Sequence, residues 1–425
     1  MISMKLFALA LFVLMYVLMI TKPAHRPLYA LGVAVIYLLT GVLPVRELFG
    51  TINWNVLMMI SGTMIIVDFF IESRMPHLLA DILLEKSKNV MWVTIYMSLF
   101  AGIISAFIDN VATVLMVAPV GLAICRKLKI NPVGMILSIA VSSNLQGAAT
   151  LVGDTTSIML GDYANMNFMN FFWMLGRPGI FFAVELGALA TVPIMMVLFR
   201  KDKEPVDSKE RTKVEDYVPT AMLLLMVLAL ICASFIPNTP SVINGVICCV
   251  LAVVTIALDL LKNRSGKGAL RAVKNLDLET LLLLTGLFVV IGGITEAGII
   301  DDFAGFIAKA GGKNLFLLYT IIVWGSVLIS AFVDNIPYVA TMLPVLTAVT
   351  RTLGVEPYLL YFGLLTGATL GGNLTPIGAS ANIAAVGLLR KEGHEVAFRD
   401  FMRIGVPFTL TAVLVGYLYI WFVWA

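Results

Sequence analysis

Two aspartates stand inside otherwise apolar sequence, each followed by an asparagine. Asp109-Asn110 closes Ser105-Ala106-Phe107-Ile108-Asp109-Asn110, and Asp334-Asn335 closes Ser330-Ala331-Phe332-Val333-Asp334-Asn335. The offset of 225 residues persists without a gap through Pro119 and Pro344, Gly147 and Gly372, Thr150 and Thr375, and Gly153 and Gly378. A carboxylate in hydrocarbon is costly, so a chain that keeps one at two matched places has a use for it. Such a group can ligate Na+ or hold a proton, and the neighbouring carboxamide both donates and accepts hydrogen bonds. Na+ is therefore the candidate metal ion at Asp109, Asn110, Asp334 and Asn335, with Thr113 adding a hydroxyl to the first set. A lone intramembrane aspartate often serves only to cap a helix. Two copies beside asparagine favour binding.

A second polar break follows each pair. The first is Gly147-Ala148-Ala149-Thr150-Leu151-Val152-Gly153-Asp154-Thr155-Thr156-Ser157, and its counterpart is Gly372-Asn373-Leu374-Thr375-Pro376-Ile377-Gly378-Ala379-Ser380-Ala381-Asn382. Glycine permits unusual backbone angles, Pro376 removes a donor, and hydroxyls and amides supply oxygen ligands. Thr150, Gly153, Asp154 and Thr155 are the candidates in the first break, and Asn373, Thr375, Gly378, Ser380 and Asn382 in the second. Glycine-rich breaks in membrane helices also serve as packing sites; the polar run here favours a cage of oxygens.

The elements that hold these residues read as membrane spans. The chain has 425 residues, 60% hydrophobic and 13% charged, against about 25% charged in a soluble domain. Full spans are expected at about 6–20, 27–43, 55–71, 133–161, 179–199, 217–235, 241–261, 278–295, 356–389 and 404–424. No A-x-A cleavage site follows the first run, so it is expected to remain as a helix. The spans 133–161 and 356–389 are too long for one straight helix and are expected to be discontinuous. Segments 91–124 and 314–350 break at the aspartates and are expected to be re-entrant hairpins, since Val111 to Ile124 is short for a span of about 20 residues. The fold class is thus an all-α polytopic membrane protein with about eleven transmembrane helices, two hairpins and two broken helices.

With hairpins that enter and leave on one side, 23 of the 29 Lys and Arg fall in cytoplasmic loops. Both termini then face outward, and the two halves have opposite orientation. An inverted repeat is expected, with 1–26 as an N-terminal helix, 27–199 as the first repeat, 200–240 as a linker with one helix, and 241–425 as the second repeat. Upstream, Ser61-Gly62 matches Thr285-Gly286 and Glu72 matches Glu296, at an offset of 224. Stretches 76–86 and 298–310 are expected to lie in the interface as amphipathic arms.

Other polar residues attract plainer readings. Asp68 and Glu72 share a helix face, and Asp68 is expected in a structural ion pair, with Glu185 similar. His25, His77 and His394 are expected in surface loops. Cys125, Cys232, Cys248 and Cys249 have no metal-ligand spacing and are expected to pack. No phosphate-binding G-x-x-x-x-G-K-[ST] run occurs, and no histidine lies in a span to serve a nucleophile. The small net charge of +3 gives no case for nucleic acid.

Together these residues resemble the ion transporter superfamily, which includes arsenite-efflux permeases, the P protein, D-type Na+/H+ antiporters and divalent anion/Na+ symporters. The most specific part is Asp334-Asn335-Ile336-Pro337 with Gly371-Gly372-Asn373-Leu374-Thr375-Pro376-Ile377-Gly378-Ala379-Ser380-Ala381-Asn382, which looks like the P-protein and arsenite-permease pattern. The resemblance implies a homodimer whose protomers carry a scaffold and a mobile transport domain, working by elevator-type alternating access. Dicarboxylate symporters of the superfamily have Ser-Asn-Thr at the hairpin tips, whereas Asp stands first here in both copies. Where many relatives have Pro-Pro-Asn after Gly-Asp, this chain has Thr155-Thr156-Ser157. The expected function is secondary transport of a small ion or polar solute coupled to Na+ or H+ across the plasma membrane, the bacterial inner membrane. No cofactor, ATPase subunit or enzymatic activity is expected. A Na+-coupled dicarboxylate or citrate symporter is the alternative within the class, and an ion channel the alternative outside it.

Overall fold

The computed structural model describes residues 2–206, 211–311 and 314–425. The linker expected at 200–240 thus lies partly outside the described residues. Helices α1 (Ile2–Thr21) and α2 (Arg26–Thr40) lead, through the single turn α3 (Leu48–Thr51), to α4 (Trp54–Glu72) and α5 (Met75–Lys86). The first broken segment is α6 (Val90–Ser105) and α7 (Asn110–Leu128), and the first broken helix is α8 (Val133–Gln146) and α9 (Thr155–Tyr163). After α10 (Ile180–Leu198) come α11 (Val218–Ala233), α12 (Ile243–Asn263) and α13 (Lys267–Lys274). The second half runs α14 (Leu278–Glu296), α15 (Ile299–Gly311), α16 (Leu315–Ser330), α17 (Asn335–Leu353), α18 (Tyr358–Leu365), α19 (Ser380–Lys391) and α20 (Phe398–Trp424). One departure from all-α is a two-residue ribbon, Trp173–Met174 paired antiparallel with Arg177–Pro178.

The local geometry repeats with the sequence. Asn89 accepts from Trp92 N to cap α6, and Asn314 accepts from Leu317 N to cap α16. Asp109 and Asp334 cap α7 and α17. Asn53 and Asp277 cap α4 and α14. A carboxylate or carboxamide oxygen here satisfies N–H groups that have no partner within the helix. Extended residues follow the short turns in both broken helices, with Thr150 at φ −131° and Thr375 at φ −129°.

Small residues set the packing of the long helices. A Cβ on Gly62 would lie 2.8 Å from the Cβ of Cys248, and one on Gly245 would lie 2.8 Å from that of Met58. These contacts advance in step, so α4 and α12 run parallel. Ala30 against Gly286 and Tyr37 against Gly293 make α2 and α14 parallel in the same way. Gly62→Leu is expected to push α12 away and cost about 1–3 kcal/mol, lowering the melting temperature in detergent. Gly50→Leu, with open space around it, is the control that stays unchanged.

Several expectations need correction. Both return arms, α7 and α17, have 19 residues and rank among the eight helices of the described residues that are long and apolar enough to span. The length argument for re-entrance therefore fails. Helix α7 continues past Ile124 because Cys125-Arg126-Lys127-Leu128 accepts helical geometry and its basic residues suit the C-terminal dipole. By length and composition eight of the described helices, or up to nine, can span, and Val90–Ser105, Val133–Ala149 and Val218–Ala233 are shorter apolar helices beside them. His77 lies half-buried on helix α5 rather than in a loop. Asp68 does enter an ion pair, with Arg271 at 3.0 Å, and Glu72 pairs with the same guanidinium at 3.1 Å. Glu185 forms no such pair among the described residues. Cys125 and Cys248 are buried, while Cys232 is exposed.

Candidate functional site

At the first tip, Oδ1 of Asp109 accepts from the backbone N–H of Val111 (2.9 Å) and Ala112 (3.2 Å). The Asn110 side chain is buried and donates to Oδ1 of Asn144 at 2.8 Å. Thr113 turns its hydroxyl back to the Ile108 carbonyl at 3.4 Å. At the second tip, Oδ1 of Asp334 accepts from Ile336 N at 3.1 Å. Its Oδ2 accepts from the Arg26 guanidinium and from the Ser380 hydroxyl, both at 2.9 Å. The two aspartates are equivalent as helix caps and different as charges.

The unwound loops hold the tips by backbone oxygens. Thr150 donates to the Ala106 carbonyl, and Thr375 donates to the Ala331 carbonyl. A Cβ on Gly153 would meet the carbonyl oxygens of Gly147 (2.6 Å), Ser105 (2.6 Å) and Ala106 (2.8 Å). One on Gly378 would meet those of Gly372 (2.6 Å), Ser330 (2.6 Å) and Ala331 (2.8 Å). Three carbonyls thus converge on each glycine, and only a hydrogen fits. Ser157 donates to Gly147 O (3.3 Å), as the matched Asn382 donates to Gly372 O (3.1 Å).

Side chains then join the two copies. Asn144 donates to Thr369 O (2.7 Å) and to Oδ1 of Asn373 (3.1 Å), while Asn373 donates back to Val141 O (2.8 Å). Asn382 donates to the same Asn373 oxygen at 3.3 Å. On the other side, Asn335 of the second tip donates to Oδ2 of Asp154 at 3.5 Å. Thr156 donates to that oxygen at 2.6 Å and lies 2.9 Å from the Thr369 hydroxyl. Asn110, Asp154, Asn335, Asn373 and Asn382 therefore belong to one buried network. Thr155 is buried next to it, at the first position of α9. Oδ1 of Asn382 is buried and has no partner among the described residues.

Sequence reading missed Asn144 and Thr369, which occupy matched positions and lie at the centre of the network. Their signal was present: 144 and 369 are 225 apart, and Asn144 is polar inside an apolar run. Arg26 falls just before the span expected at 27–43, and sequence reading gave it no role. It stands in the first turn of α2 and is only 15% exposed, against Asp334 at 3%. Helix α18 continues through a π-helical stretch, Thr366–Leu370, that α8 lacks. Gly363, Gly367 and Gly371 there press on α16.

The family model of CitMHS, citrate transporter, matches residues 16–363 and 271–425. The chain belongs to this family. It is a multi-pass membrane transporter of the ion transporter superfamily. Relatives at full length include the uncharacterized transporter Mb2703 of Mycobacterium bovis, 28% identical over 428 residues and covering 98% of each chain. The P protein of Mus musculus is 24% identical over 506 residues, covering 97% of this chain and 59% of its own. Among solved structures, the YdaH transporter of Alcanivorax borkumensis aligns with a TM-score of 0.61 at 13% identity, over 88% of this chain and 86% of its own. MtrF of Neisseria gonorrhoeae gives 0.58 at 15% identity, over 91% and 83%. These two likenesses speak for the fold.

Proposed function

We propose that the family member described here is a secondary active transporter that couples Na+ or H+ to the movement of a small ion or polar solute. The observation that carries this is the buried network between the copies, in which Asn335 of the second tip bonds to Asp154 of the first broken helix. A site built from both halves can exist only when the halves meet, which suits one transport domain that carries the site as a unit between the two sides of the membrane. The halves are read as an inverted repeat of 27–199 and 241–425, with tips that stop inside the membrane. Helices α6–α9 and α16–α19 would move together as an elevator against a frame containing α2, α4, α12 and α14, within a homodimer. The excess of basic residues in the loops cited above supports a plasma-membrane orientation with both termini outside. Na+ or a proton would bind at the first tip and complete the solute site, since an unneutralised carboxylate makes the crossing costly. A citrate-type anion symport is the second reading. It is favoured by the family's description and by the Arg26 guanidinium at the second tip.

The test is reconstitution in liposomes with an interior pH dye. Na+, arsenite, citrate and succinate are added with and without a Na+ gradient. A solute-dependent pH change identifies proton coupling, and Na+-dependent uptake with a silent dye identifies Na+ coupling. Flux that is linear in driving force and needs no second ion contradicts the proposal and points to a channel.

A further inference from the structure

We infer that Arg26 is a built-in cation that takes the place of a bound ion at the second tip, so that each protomer binds one coupling cation, at the first tip. The inference rests on the coupled-transport reading and specifies where its cation sits.

The two copies give Asp109 and Asp334 the same backbone role and different charge environments. Oδ1 of each accepts from the amide two residues ahead, Val111 and Ile336. At Asp334 the remaining oxygen is fully engaged, by Arg26 Nη1 and Ser380 Oγ at 2.9 Å each. At Asp109 no side chain of the described residues donates to the remaining oxygen, and no ion pair reaches the carboxylate. The difference extends one layer out. The first broken helix has Asp154, buried to 2% exposure, where the second has Ala379. Asp154 lies between the copies, its Oδ2 accepting from Asn335 of the second tip, so the first tip keeps a carboxylate with no cationic partner among the described residues, and the second keeps one with its guanidinium.

The place of Arg26 argues for this role over helix stabilisation. It lies in the first turn of α2, preceded by Pro23-Ala24-His25 and followed by Pro27, where the helix dipole opposes a positive charge. A cation held there and largely shielded from solvent needs an anion, and the buried Asp334 is that anion. The pair also joins α2 to the start of α17, across 308 residues of chain. Arg26 acts through Asp334 and is a positioning residue.

The experiment is equilibrium binding of radioactive Na+ to the full chain in nanodiscs at fixed ionic strength, read as ions per protomer. The wild type is expected to bind one, Asp109→Asn none, Arg26→Gln two, and Arg26→Gln with Asp334→Asn one. Arg26→Lys should restore the wild-type value. A merely structural ion pair would leave the stoichiometry at one in Arg26→Gln, and that result overturns the inference. So does a wild type that binds two ions, or retained binding in Asp109→Asn. The last variant keeps a good helix cap, so the test holds even where Arg26→Gln does not fold. A wild type that binds no Na+ also overturns it. The coupling proposal would then stand or fall separately, on the pH dye.

Discussion

Asp109→Asn is expected to abolish cation-dependent transport while leaving the fold intact. Asparagine is as good an N-cap as aspartate, so the bonds to Val111 and Ala112 survive the change. What is lost is the charge. With the guanidinium of Arg26 committed to Asp334, the first tip is the one without an internal counter-ion. The apparent cation affinity should fall by more than about a hundredfold, a loss of over roughly 2.8 kcal/mol that leaves the site empty at working Na+ concentrations. Asp154→Asn is expected to act in the same direction. Its oxygen takes the Asn335 and Thr156 donors that link the second copy to the first. Uptake in liposomes at graded Na+ and graded pH measures both. Unchanged cation dependence in Asp109→Asn would remove that residue from the coupling site.

Gly378→Ala is expected to have the second large effect, and Gly153→Ala a similar one. The added methyl would lie 2.6 Å from two carbonyl oxygens and 2.8 Å from a third. All three belong to backbone at the tip or the unwound loop, so no side chain can swing away. Overpacking of this kind costs about 1–3 kcal/mol, and relief comes only by moving the hairpin off the broken helix. The tip and its aspartate would shift with it. Transport should fall at least tenfold for each variant, with a lower melting temperature. Gly387→Ala, with nothing within 4 Å, provides the control. Wild-type transport in Gly378→Ala would mean that the carbonyl cluster is not part of the working site.

Much of this arrangement was legible because polar residues are scarce in the chain. Asp109, Asp334 and the glycine-broken loops stood out against apolar runs, and the constant offset placed the two copies in register. The caps Asn89 and Asn314 obey the same offset. Partnership was harder to read. Arg26 and Asp334 are 308 residues apart, and nothing local signals that a loop-proximal arginine reaches a hairpin tip. Asn144 stood out as a polar residue in an apolar run, but its partner did not. The side chain bonds the other copy through the Thr369 carbonyl, and backbone acceptors leave no mark in sequence. Helix length misled where basic residues continued a helix beyond its apolar part, as at Arg126 and Lys127.

The proposed inverted repeat has the two copies run through the membrane in opposite directions and meet in one site. It predicts that matched loops emerge on opposite sides. Asn131 and Glu356 are 225 residues apart, exposed, and lie just before α8 and α18. Single cysteines at each, in a background without the four native cysteines, can be labelled by a membrane-impermeant maleimide in right-side-out and inside-out vesicles. Asn131→Cys should react only from the cytoplasmic side and Glu356→Cys only from the outside. Labelling of both from one side would contradict the inverted repeat and the proposal built on it.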